Sequence, residues 1–324
     1  MHFTPDPALL FFVFGLLAGL LRSNLEIPPP VSRFLSLYLL MALGLKGGFA
    51  LARTGLDGTV ALSLGCAVLM AVVVPLLGLL VLRRWLSPFD AAAVAATYGS
   101  VSAVTFITAA QYIEAQGFSY GGHMAAAMAL MESPAIIMAV LMANWARRRA
   151  ARPAGGAPGP ATPFGRILHE ALTDGAQLLL LGAMVVGLLT GASGEAAMKP
   201  FAGDLFKGML SFFLLDMGLL AARHIGGLKG RPWALVSYGL VAPAVHALLA
   251  LGLAAGAGLA VADAALLMVL SASASYIAVP AVVRHAIPEA QPSLYLGMSL
   301  GLTFPLNILL GIPACLAAAR WALA

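Results

Sequence analysis

The chain has 324 residues, of which 61% are hydrophobic and only 10% charged, with a net charge of +5 and a mean hydropathy of +0.96. Soluble domains carry about 25% charged residues, so the composition excludes a soluble globular protein and requires an integral membrane one. The basic excess then reads as loop charge that orients the chain, and not as a surface for nucleic acid.

Apolar runs of spanning length recur from end to end. In chain order they predict ten spans, at about 7–24, 30–52, 58–83, 88–116, 119–146, 166–191, 200–223, 231–258, 262–286 and 291–320. The first follows Asp6 with no Lys or Arg before it, unlike the basic start of a signal peptide, and reads as a permanent span. Between the fifth and sixth lies Arg147-Arg148-Arg149, followed by a Pro/Gly/Ala-rich stretch through Pro160. This reads as a flexible linker. The expected division is a five-helix repeat over 1–147, a cytoplasmic linker over 148–165 and a second repeat over 166–324.

The halves echo each other. Leu35-Ser36-Leu37-Tyr38-Leu39-Leu40 resembles Leu210-Ser211-Phe212-Phe213-Leu214-Leu215, with Gly44 and Gly218 following at similar distances. Pro75 has a counterpart in Pro243, and Glu132-Ser133-Pro134 in Thr303-Phe304-Pro305. Five is odd, so the second copy must enter from the opposite side, and the repeat is predicted to be inverted. Basic residues collect on the cytoplasmic side of membranes. With both termini outside and the central loop in the cytoplasm, 13 Lys and Arg face inward and 4 outward, with Lys46 in or near a span.

Two segments about 173 residues apart look like the same interrupted helix. Phe89-Asp90-Ala91 leads to Thr97-Tyr98-Gly99-Ser100-Val101-Ser102-Ala103-Val104-Thr105. Val261-Ala262-Asp263 leads to Ser271-Ala272-Ser273-Ala274-Ser275-Tyr276-Ile277-Ala278-Val279-Pro280. In hydrocarbon a freed backbone group costs several kcal/mol, so a break survives only where it lines a polar cavity or is buried in protein. Matched breaks in two halves are the best sequence pointer to a transporter's binding site. The starting half-helices offer N–H groups to an anion, and the ending ones offer carbonyls to a hard cation. The hydroxyls of Ser100, Ser102, Thr105, Ser271, Ser273 and Ser275 suit either ion.

Asp216, Glu132 and Lys46 are charges set deep within spans. Each costs at least about 2.5–3.5 kcal/mol at bilayer depth and so needs a partner or a function. Glu132 precedes a proline that frees a carbonyl, and Thr303, Pro305 and Asn307 repeat that pattern with neutral oxygens. Asp216 reads either as a partner for Lys46 or as a cap on a break, and Lys46 alternatively as a residue that snorkels to the interface. His246 reads as a satisfied core residue, and Cys66 and Cys315 as small buried ones. No HExxH, CxxC, Walker or Gly-x-Ser-x-Gly spacing is present, so no enzymatic activity is expected.

Tyr98 to Phe106, Met131-Glu132-Ser133-Pro134-Ala135, Ser273 to Pro280 and Pro288 to Tyr295 resemble the sodium-dependent bicarbonate transporter superfamily over nearly the whole chain. The resemblance implies an all-α fold of ten transmembrane helices, arranged as two inverted five-helix repeats with broken, crossing helices four and nine. It further implies a core domain moving against a gate or scaffold, a homotrimer in the plasma membrane, sodium symport of bicarbonate and regulation by a small cytosolic PII-like protein. No cofactor is implied beyond sodium as coupling ion. On this reading Ser100, Ser102, Thr105, Ser273, Ser275 and Tyr276 hold the anion, and Glu132, Ser271, Thr303 and Asn307 place sodium. The cyanobacterial members carry an acidic residue after the second serine run, where this chain has Tyr276, and a longer polar central loop. One sodium per bicarbonate is the expectation here. Another small anion or a short carboxylate is the alternative cargo, and an anion-sensing receptor the alternative class.

Overall fold

A backbone surrounded by apolar side chains must satisfy its own N–H and C=O groups, and helices do so within one segment. The computed structural model describes residues 7–55, 57–151, 175–225 and 233–323; among these the chain is helical, with no strand. The helices are α1 (Pro7–Leu20), α2 (Pro29–Thr54), α3 (Gly58–Leu82), α4 (Pro88–Gly99), α5 (Ala103–Ala115), α6 (His123–Ala151), α7 (Gly175–Met198), α8 (Phe206–Ile225), α9 (Trp233–Gly256), α10 (Val261–Ala272) and α11 (Ala278–Ala286). The last, α12, runs over Pro292–Leu323 and contains two π-helical stretches, Gly297–Thr303 and Asn307–Gly311.

Local sequence explains the ends. Pro29 opens α2, where a missing N–H costs nothing. Asp57 caps α3 by accepting from the Val60 N–H at 2.9 Å, and Ser87 caps α4 by accepting from the Asp90 N–H at 3.1 Å. The two interrupted spans end and restart at their serine runs. α6 continues to Ala151, so the first residues assigned to the linker are helical. Residues 152–165 of that linker, and the first part of the sixth predicted span through 174, lie outside the described residues.

Among the described residues, six helical stretches are long and apolar enough to cross a membrane. α1 and α10 are apolar but shorter. One of the six, Leu178–Ile225, has 48 residues and contains both α7 and α8, joined through a π-turn at Lys199–Asp204.

Packing separates two groups of helices. α2 lies along α7 and α1 along α8, with α2 also touching α8. Glycines make these approaches close: a β-carbon at Gly48 would sit 2.1 Å from the Met184 carbonyl oxygen, and one at Gly218 would sit 2.3 Å from that of Phe12. The second group sets α3 against α4 and α6, and α10 against α9 and α12. Nearly all of α4 and all of α10 except Val261 are buried, whereas α1, α3, α7 and α9 turn Leu, Val and Phe side chains outward. An apolar exterior around a buried pair of short helices suits a lipid surround.

Candidate functional site

The two interruptions meet. α4 ends at Gly99, and Ser100 continues in extended backbone. Gly99 is required there: a β-carbon would lie 2.6 Å from the ring of Pro75 on α3. Ser102 caps α5, accepting from the Thr105 N–H at 3.2 Å. On the other strand of the crossing, Ser273 closes α10 by donating to the Leu270 carbonyl at 2.8 Å. Ser275 stands at the start of α11, with the Val279 N–H 3.4 Å from its hydroxyl.

The breaks are bonded to each other twice. The Ser102 N–H donates to Ser273 Oγ at 3.0 Å, and the Ser275 N–H donates to the Thr97 carbonyl at 2.8 Å. The beginnings of α5 and α11 therefore converge with the ends of α4 and α10, which brings both partial charges of the helix dipoles to one place. Three hydroxyl oxygens there, Ser100 Oγ, Thr105 Oγ1 and Ser271 Oγ, are buried without a hydrogen-bond partner. A buried orphan hydroxyl costs about 1–3 kcal/mol, so three beside one crossing mark a place built to receive polar groups.

Tyr276 follows directly. Its hydroxyl faces Met217 Sδ of α8 at 3.5 Å, and its ring packs edge-on against Phe304. Ser102 and Asp216 lie within its electrostatic reach. Thus a side chain of the second break touches the α1/α2/α7/α8 group.

The α12 residues approach from another direction. Asn307 Nδ2 donates to the carbonyl of Ala272, the last residue of α10, at 2.8 Å. Thr303 Oγ1 donates to the Gly239 carbonyl at 3.0 Å and lies 2.5 Å from the Tyr98 hydroxyl. Thr303 ends one π-helical stretch and Asn307 opens the next; such turns re-aim side chains and recur at functional sites. Glu132 is half-buried on α6, which packs chiefly on α3, α4 and α11 and engages neighbouring groups there. Of the sodium set read from the sequence, Ser271 lies on α10, Thr303 and Asn307 on α12, and Glu132 on α6, which also touches α10.

Asp216 and Lys46 do not pair. Lys46 reaches Glu114 at 3.4 Å and stands over the Phe206 ring at 4.6 Å, while Asp216 has Ser32 and Arg223 as neighbours. His246 is buried, but its Nδ1 has no partner, so it is not the satisfied residue expected. Cys66 and Cys315 are free.

Sequence reasoning assigned no role to four residues that organise the site: Tyr98, Gly239, Asp90 and Asp263. Asp90 accepts from the Gln291 N–H at 2.8 Å, and Asp263 from the Gly121 N–H at 2.7 Å. Their equal place, two residues into α4 and α10, was the available signal.

The fold and the crossing define an integral membrane protein built around two discontinuous helices, a construction used by secondary transporters. The profile of the Na+-dependent bicarbonate transporter superfamily matches residues 7–320, and the chain belongs to that family. Comparison with curated proteins gave no significant match.

Proposed function

We propose that this protein is a plasma-membrane symporter that carries bicarbonate together with sodium, binding the anion where the two helix breaks cross. The observation that carries the reading is the direct Ser102–Ser273 contact between the breaks, with the orphan hydroxyls of Ser100, Thr105 and Ser271 around it. Hydroxyls and the N–H groups that open α5 and α11 suit a small oxyanion. The carbonyls that end α4 and α10, with Thr303 and Asn307, suit sodium. Glu132 would contribute from α6.

The ten-span inverted repeat is part of the proposal, and helix pairing supports it. Counting α4/α5 and α10/α11 as spans four and nine, span one packs on seven as six packs on two, and three on four as eight on nine. Gly44 of span two packs on Leu180 of span six, and its counterpart Gly218 of span seven packs on Phe12 of span one. A 48-residue rod would be about 72 Å long, far beyond a bilayer core of about 30 Å, so Leu178–Ile225 reads as two spans. Loop contacts agree on sidedness. Arg147 pairs with Glu289 on the side assigned to the cytoplasm, and Arg53 with Glu195 on the side assigned to the exterior.

Coupling follows from charge. A negative-inside membrane opposes bicarbonate entry by about 2.3 kcal/mol per 100 mV, and one sodium cancels that penalty while drawing on its own gradient. The family further suggests a homotrimer and a PII-like partner at the central loop, which cross-linking and co-purification would test.

The deciding experiment is uptake of labelled bicarbonate into proteoliposomes with and without an inward sodium gradient, alongside a panel of short carboxylates. Sodium-dependent bicarbonate uptake is expected. Carboxylate uptake alone would change the cargo, and binding without flux would indicate a receptor.

A further inference from the structure

Between α3 and α9, away from the crossing, lies a cleft of about 500 Å3, within the range of about 300–1,000 Å3 typical of ligand sites. Its walls are apolar, with Leu77 and Val81 on one side and Val241 and Val245 on the other. Tyr238 and His246 line it, and each carries a buried polar atom without a hydrogen-bond partner, the Tyr238 hydroxyl, which lies beside Gly78 of α3, and His246 Nδ1. Apolar cavities in proteins stay dry, so the Tyr238 hydroxyl calls for an occupant with an acceptor as well as an apolar body.

One end of the cleft is marked as a membrane interface. Trp85, in its wall, and Trp233, which opens α9, are both exposed at that end, and Trp belts sit at headgroup level. Arg83 and Arg84 follow α3 directly, are exposed, and are held in no ion pair among the described residues. Tyr238 is five residues into α9, about 7–8 Å below that interface, and His246 is about 20 Å below it. The order from the surface inward is two cations, then a hydroxyl donor, then hydrocarbon.

We propose that this cleft binds one acyl chain of an anionic glycerophospholipid, with the phosphate on Arg83 and Arg84 and an ester carbonyl accepting from the Tyr238 hydroxyl. Basic sites between spans on the cytoplasmic side hold anionic headgroups by this chemistry. The site also touches the transport machinery: the Tyr238 ring packs edge-on against Tyr98 at 5.2 Å, and Tyr98 meets Thr303 and precedes the first break. Lipid at Tyr238 would steady the end of α4.

The test uses the detergent-purified full chain and native mass spectrometry with titrated phosphatidylglycerol or phosphatidylcholine. Wild type is expected to retain phosphatidylglycerol at least about tenfold more tightly. Arg83→Gln with Arg84→Gln removes the preference, Tyr238→Phe weakens both lipids about three- to fivefold, and Val241→Trp fills the cleft and abolishes retention of both. Equal retention of the two lipids by wild type would overturn the proposal, as would an undiminished preference in the double-arginine variant or full retention in Val241→Trp. Should Val241→Trp fail to fold, the arginine and Tyr238 arms decide, because Arg83 and Arg84 are exposed and Tyr238→Phe preserves the ring.

Discussion

The Asp90 carboxylate accepts a hydrogen bond from the backbone N–H of Gln291, 201 residues further along the chain, at 2.8 Å. Asp263 does the same for Gly121 at 2.7 Å. Each aspartate lies in the first turn of a half-helix, where the dipole favours its charge, and each reaches a residue one or two positions ahead of a long helix of the other half. The halves are thus latched to each other at both ends of the crossing.

Removing a latch leaves a part-buried N–H without its charged acceptor. Asp90→Ala and Asp263→Ala are each expected to cost about 1–3 kcal/mol of stability, with the asparagine variants milder because an amide oxygen still accepts. The latches share no partner, so the double variant should lose the sum. Thermal unfolding in detergent measures all of these, and a fully stable Asp90→Ala would remove the latch from the description.

Ser102 and Ser275 hold the start of the second half-helix at each break. Ser102→Ala and Ser275→Ala are each expected to lower bicarbonate uptake at least about tenfold, with Ser102→Ala also costing about 0.5–2 kcal/mol as a lost cap and Ser275→Ala losing only the longer 3.4 Å bond from the Val279 N–H. Vesicle uptake read beside thermal unfolding separates the two effects. Unchanged kinetics in both variants would take the anion away from this crossing.

Much of this arrangement was legible in the sequence, for a physical reason. A helix that stops at bilayer depth frees backbone groups that need polar partners, and the small hydroxyl residues of Ser100–Ser102 and Ser273–Ser275 made both breaks visible. The latches were not, because an aspartate in a first turn looks like a local cap until its distant partner is known. Thr303 and Glu132 were grouped by the likeness of Glu132-Ser133-Pro134 to Thr303-Phe304-Pro305, but a local pattern does not carry the partner of either side chain, such as the Tyr98 and Gly239 contacts of Thr303. The two π-turns of α12 left no recognisable mark, although they set the positions of Thr303 and Asn307.

Acid should loosen the loop between α11 and α12. Arg147 donates from Nε and Nη2 to Glu289 at 3.0 Å, and from Nη2 to the Ala286 carbonyl at 2.7 Å. The guanidinium holds the Glu289 carboxyl below its ordinary value of 4.5. A depressed value means that the pair stabilises the fold above that ordinary value and loses its contribution as pH falls through the lower one. Glu289 is partly exposed, so the gain is at most about 0.5–1 kcal/mol. Comparing thermal unfolding of wild type and Arg147→Ala from neutral to acid pH checks this. The difference attributable to Glu289 should persist through pH 4.5 and vanish only below it, and a difference that vanished above that value would mean that Arg147 does not hold the carboxyl down.

The Thr303 hydroxyl has one proton, and it is committed to the Gly239 carbonyl at 3.0 Å. Tyr98 must therefore be the donor in the 2.5 Å contact between them. The two ends of this bond are unequal in consequence. Tyr98→Phe removes a donor and leaves Thr303 still bonded to Gly239, at an expected cost of about 0.5–1.5 kcal/mol. Thr303→Val strands both the Tyr98 hydroxyl and the Gly239 carbonyl in a dry setting and should cost about 2–4 kcal/mol, the sum of two unmade bonds. In the double variant the tyrosine hydroxyl no longer needs a partner, so the pair should cost about 1 kcal/mol less than the two singles together. A double-mutant cycle by thermal unfolding reads this coupling. A strictly additive cycle, or a Tyr98→Phe change costlier than Thr303→Val, would mean that the bond runs the other way and that Thr303 gives its proton to the break instead of to α9.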